Sequence, residues 1–93
     1  MIHAFVLMNV EPDHIAQAAV RAAEFEGVSS AHSVAGSEAD VVVVLAVPSH
    51  DEIARVVTED LATLEGLIST RTMIAFRSYS SDELEAAYEG FGD

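Results

Sequence analysis

The chain has no cysteine, no lysine and no tryptophan among its 93 residues, and only two prolines. Without cysteine there is no disulfide framework, no thiolate nucleophile and no cysteine zinc site. Four arginines stand against 16 acidic residues, a formal charge of −12. A surface so negative repels phosphate backbones and anionic membranes, which argues against direct contact with nucleic acid or a bilayer. No apolar run reaches the roughly 18 residues of a membrane span, and no basic leader precedes the first apolar segment, so the expected location is the cytoplasm. Phosphate-cradling loops are missing as well. Gly27 and Gly36 are isolated, and Gly90-Phe91-Gly92 follows a helical pattern instead of opening one.

What is present is strong apolar patterning. At 51% hydrophobic residues the chain can build one modest core, read here as a single domain over 1–93. Ile2–Val10 reads as a strand, with Pro12 placed to start a helix. Between Asp13 and Glu24, Ile15, Ala18, Ala19, Ala22 and Ala23 recur at helical spacing, and Gly27 stops the run. Val28–Ala35 is a strand of mixed polarity, Gly36-Ser37-Glu38-Ala39 turns the chain, and Val41–Val47 is a β-branched strand. Ser49-His50-Asp51-Glu52 has the form of a reciprocal capping box. Behind it Ile53, Val56, Val57, Leu61 and Leu64 make one stripe ending at Gly66. Leu67–Phe76 is the fourth strand, and Leu84, Ala87, Tyr88 and Phe91 predict a short C-terminal helix over 80–91.

The two halves repeat a strand, a helix, then Glu-Gly-aliphatic and a strand, with junctions at Glu26-Gly27-Val28 and Glu65-Gly66-Leu67. Two such halves predict an α+β, ferredoxin-like βαββαβ fold with a four-stranded antiparallel sheet, a core over 2–76 and strand order 4-1-3-2. Both helices of that topology cover one sheet face. Yet the first and third strands are apolar on both: His3, Phe5 and Leu7 oppose Ala4, Val6 and Met8, and Val42, Val44 and Ala46 oppose Val41, Val43 and Leu45. The second face therefore predicts a homodimer, a dimeric α/β assembly closed sheet against sheet into an α/β barrel.

Candidate chemistry is sparse. His14 and His50 fall in first helical turns and read as solvated; His3 reads as an interface residue, a core imidazole or a base; His32 lies on an edge strand. No pair of histidines has metal-ligand spacing, and no matched pair of catalytic carboxylates stands out, so no metal, cofactor or catalytic residue is assigned. Asp40, where the turn meets the valine strand, suits either a cap for free amides or an acceptor for a ligand ammonium group. Thr70 and Thr72 are either ordinary strand formers or the lining of a small polar cavity.

The order Phe25-Glu26-Gly27-Val28, Ala31-His32-Ser33-Val34-Ala35-Gly36, Asp40, and then Leu64-Glu65-Gly66-Leu67 through Phe76 resembles the effector-binding domain of the Lrp/AsnC regulators, over nearly the whole chain. The resemblance implies a stand-alone sensor domain without a helix-turn-helix. It implies dimers that assemble into an octameric or similar ring, an amino-acid-like effector, and association with a full-length DNA-binding relative to modulate transcription. It assigns ligand binding to Gly36, Asp40, Ser69, Thr70 and Thr72. One departure is visible: three residues, not the family's usual two, separate Gly36 from Asp40. Two alternatives stand beside this reading. One is an enzyme of the dimeric α/β-barrel type, such as a cofactor-independent monooxygenase; the other is a purely structural oligomerisation module.

Overall fold

The computed structural model describes residues 1–79. The helix expected over 80–91 lies outside the described residues. Strand β1 (Ile2–Val10) leads through one 3₁₀ turn at Pro12–His14 into helix α1 (Ile15–Glu24). Strands β2 (Val28–Ser33) and β3 (Val41–Val47) form the central hairpin. Helix α2 begins at His50–Arg55, widens into a π turn over Val56–Asp60 and tightens over Leu61–Thr63 before β4 (Leu67–Ile74). The sheet order is β2-β3-β1-β4, antiparallel throughout, as the repeat of strand-helix-strand units predicts. Both edge strands end two residues earlier than their apolar patterns suggest.

One face of the sheet makes the core. Ala4, Val6, Met8 and Val10 of β1 and Val41, Val43, Leu45 and Val47 of β3 are buried beneath Ala18 and Ala22 of α1, Ile53, Val56 and Leu61 of α2, and Leu64 just beyond it. The alanines of α1 let that helix lie close to the valines of β3, and truncating one such aliphatic, as in Leu45→Ala, costs about 2–5 kcal/mol. Only half of the expected capping box forms. Ser49 Oγ accepts from the Glu52 amide at 3.4 Å, but the Glu52 carboxylate turns to Arg55 Nε at 3.0 Å.

The opposite face stays open. In register across it lie Ser30 and His32 of β2, Val42, Val44 and Ala46 of β3, Phe5, Leu7 and Asn9 of β1, and Ser69, Arg71 and Met73 of β4. Phe5 and Met73 are 37% and 54% exposed, so large apolar side chains on this face are still wet. The expectation of a barrel is corrected here. The sheet ends in two separate edge strands, β2 and β4, and is an open sheet, not a closed barrel. Four twisted strands are too few to curl round and pair their own edges.

Candidate functional site

Of the predicted site residues, Gly36 and Asp40 lie on the loop between β2 and β3, and that loop is built from its backbone outward. Val34 N–H donates to Asp40 O, and Asp40 N–H donates to Met8 O, each at 2.9 Å. The returning limb is thus stitched to β1 before β3 begins. At the same level the β1–β4 register slips between Asn9 and Val10. The Val10 amide, on a residue that is 2% exposed, donates to Asp40 Oδ2 at 2.9 Å. Asp40 therefore serves an amide of β1, 30 residues away, and not the amides of its own turn.

The longer spacer has a structural use. Of Ser37, Glu38 and Ala39, only Ala39 is buried, at 4% exposure. Glu38 stays outside, and its backbone carbonyl accepts from Arg71 Nη2, which crosses from the open face of β4. This carbonyl partner becomes visible only once β4 is in register with β1 and the loop is in place. Gly36 is exposed, lies outside the left-handed region, and has nothing within 4 Å of the place a Cβ would occupy. No steric demand for glycine exists there.

The remaining site residues divide between the two faces. Thr70 pairs with Met8 and Thr72 with Val6, so both lie on the helix side of β4, where Thr70 is half-buried and Thr72 exposed. Ser69 pairs with Asn9 on the open face, and its hydroxyl donates to Asn9 Oδ1 at 3.0 Å. Asp40 and Thr70 flank Met8 from the neighbouring strands, whereas Ser69 is on the other side of the sheet from Thr70 and Thr72.

Elsewhere, Arg55 and His14 each pair with neighbouring acids. The Arg55 guanidinium binds Glu52 at 3.0 Å and Asp60 at 2.6 Å. Its hydrogen bond to Glu52, then that to Asp60, hold its pKa above the ordinary arginine value. Burial opposes the shift. His32 and Ser30 share a 3.1 Å hydrogen bond on the open face of β2. His14 is less solvated than expected: its ring packs against Gly66, and Nδ1 hydrogen-bonds Asp13 at 3.0 Å. With Glu11 these two bring three ligand-type atoms within 4.8 Å of one another, the one such group among the described residues. Two of the three are exposed, and the His14–Asp13 hydrogen bond accounts for the arrangement.

The comparisons with known proteins converge on this architecture. The model of the Lrp/AsnC ligand binding domain matches residues 3–84. The chain belongs to that family. An Lrp/AsnC ligand-binding domain of this kind is a small-molecule effector-binding and oligomerisation domain linked to transcriptional regulators. A crystal structure from Thermus thermophilus superposes with a TM-score of 0.80 at 34% identity, covering 86% of this chain and 99% of that one. The leucine response regulatory protein of Mycobacterium tuberculosis is 28% identical with a TM-score of 0.71, over 87% of this chain and 54% of that one. AsnC of Escherichia coli shares the fold at 16% identity and a TM-score of 0.75, over 85% of this chain and 53% of that one. The Lrp/AsnC domain here thus spans about half the length of those two regulators. No curated protein sequence matches it. Among the described residues no helix is long and apolar enough to cross a membrane.

Proposed function

We propose that this domain is a cytoplasmic sensor that dimerises through its open sheet face and binds an amino-acid-like effector beside the 34–40 loop. The observation that carries the dimer is the unbroken apolar centre of that face, Phe5, Leu7, Val42, Val44, Ala46 and Met73, with Ser30, His32, Asn9, Ser69 and Arg71 at its margin. An apolar centre inside a polar rim is the anatomy of a protein interface. Ser69, being on that face, belongs to the dimer contact in this reading and not to the effector.

The effector site then consists of the backbone round Gly36, the Asp40 carboxylate, and Thr70 and Thr72 on the uncovered helix side of β4. A zwitterion needs amide or hydroxyl donors for its carboxylate, an acceptor for its ammonium and an apolar surface for its side chain. Asp40 Oδ2 already accepts from Val10, which leaves Oδ1 for an ammonium group. An exposed strip on β4 calls for a neighbouring dimer to complete the cleft, which supports a ring of dimers, octameric or similar. The leucine response in the name of the tuberculosis relative supports an amino-acid effector. With a formal charge of −12, regulation would pass through a DNA-binding relative in a mixed assembly.

A panel of free amino acids, screened by thermal shift on protein refolded to strip carried-over ligand, tests the proposal. Selective stabilisation by one or a few is expected, because a ligand that binds only the native state raises its stability. A flat response across the panel would sink the amino-acid assignment.

A further inference from the structure

At the end of the sheet remote from the 34–40 loop, an open cleft of about 830 Å³ lies between the start of β1, the first turn of α2 and the segment that leaves β4. Its walls include Ile2, Ile74 and Phe76. Ile2 pairs with Val47 and Ile74 with Ala4, both buried residues of the helix side. These isoleucines therefore do not belong to the open face, and a sheet-to-sheet dimer would leave them uncovered. Ile74 is 49% exposed and Phe76 fully so, apolar surface for which neither the core nor that dimer accounts.

The polar lining is one-sided in character. Among the described residues it consists of His3, His50, Arg77 and Ser78, with no carboxylate, in a chain that carries 16 acids. Asp51 and Glu52 follow His50 on α2, yet neither lines the cleft. The wall is held in place: Ala75 N–H donates to His3 O at 2.9 Å, and the Ser78 hydroxyl lies 3.4 Å from His3 Nδ1. Arg77 makes no ion pair among the described residues, unlike Arg55.

We infer that this cleft is a second small-molecule site, for an anion with an apolar body such as an aryl or alkyl carboxylate. Arg77 presents the planar fork that matches a carboxylate, and the imidazole and hydroxyl groups supply further donors. The isoleucines and Phe76 take up the apolar body, and the volume lies within the range of small-molecule pockets. The site is independent of where the effector of the preceding reading binds.

Phenylacetate and its neutral counterpart phenylacetamide, titrated separately into the full chain and followed by amide NMR shifts, test the inference. Saturable shifts confined to residues 2–3, 50 and 74–78 are expected, with the acid bound about tenfold more tightly than the amide, the scale of one charge-assisted hydrogen bond. Arg77→Gln should erase that preference, and Arg77→Lys should keep part of it, at unchanged oligomeric state. Equal binding of acid and amide to the native chain, or no shifts in this segment, would overturn the inference whatever the variants do. Shifts confined to residues 36–40 and 70–72 would also overturn it, while leaving the loop site of the effector reading intact.

Discussion

Asp40 and Val10 meet across 30 residues of chain, carboxylate oxygen to backbone amide at 2.9 Å, where the register of β1 and β4 slips. The contact ties the start of β3 to the end of β1: Val10 closes β1, and Asp40 immediately precedes β3. Removing the acceptor leaves a buried N–H unpaired, so Asp40→Ala should cost about 1–3 kcal/mol in urea unfolding. Asp40→Asn retains a carbonyl acceptor and should cost less than half as much. A wild-type midpoint for Asp40→Ala would show that the bond has no net weight.

The same residue separates scaffold from sensor. If Oδ1 of Asp40 meets the ammonium of an amino-acid effector, Asp40→Asn should weaken binding by about 1.5–3 kcal/mol, the scale of hydrogen bonds to charged groups. Calorimetric titration of both proteins, matched for oligomeric state, measures this. Unchanged affinity would take Asp40 out of the binding site and leave it its strand-joining role alone.

The open face should respond to a single charge at its centre. Val44 pairs with Phe5 on one side and Ser30 on the other, so Val44→Asp places a carboxylate in the middle of the proposed interface. Burying that charge without a partner is too costly to sustain association. Sedimentation at micromolar concentration should show the wild type as a dimer or larger and the variant as a species near 9.9 kDa. A wild-type monomer under those conditions would remove the proposed interface.

Two glycines should behave oppositely. Gly66 has φ +84°, and a Cβ there would lie 2.5 Å from His14 Cβ. Gly66→Ala combines left-handed strain with a clash against the start of α1 and should destabilise by more than about 1 kcal/mol. Gly36→Ala meets neither obstacle and should stay within about 0.5 kcal/mol of wild type, as ordinary surface substitutions do. Thermal unfolding of the pair is the measurement.

Nucleic-acid binding should be absent from the domain alone. With a formal charge of −12 the counterion-release term that drives DNA association works against it. Mobility-shift assays at about 150 mM salt should show no sequence-selective retardation, and salt-sensitive, submicromolar binding would contradict the charge argument.

The repeated strand-helix-Glu-Gly-strand order was enough to specify topology, because helix and strand periodicities are local and a ferredoxin-like sheet is the compact way to join two such halves. Alternation within β1 and β3 likewise sorted their residues into two faces and showed both to be apolar, since side-chain direction along a strand follows from parity alone; which face the helices bury came only from the packing. The helix side of Thr70 and Thr72, the opposite placement of Ser69, and the Asp40–Val10 bond depend instead on the register of β4 against β1 and on the slip at Asn9. No local pattern in the sequence records that slip. The same holds for Arg71 reaching the Glu38 carbonyl, a backbone partner that has no signature in residue type. Composition and periodicity by themselves determined the acidic charge, the two-layer fold and the two-sided apolar sheet. Only the tertiary structure decided which polar groups share a face, because a shift of one residue in pairing moves a side chain to the other side of the sheet.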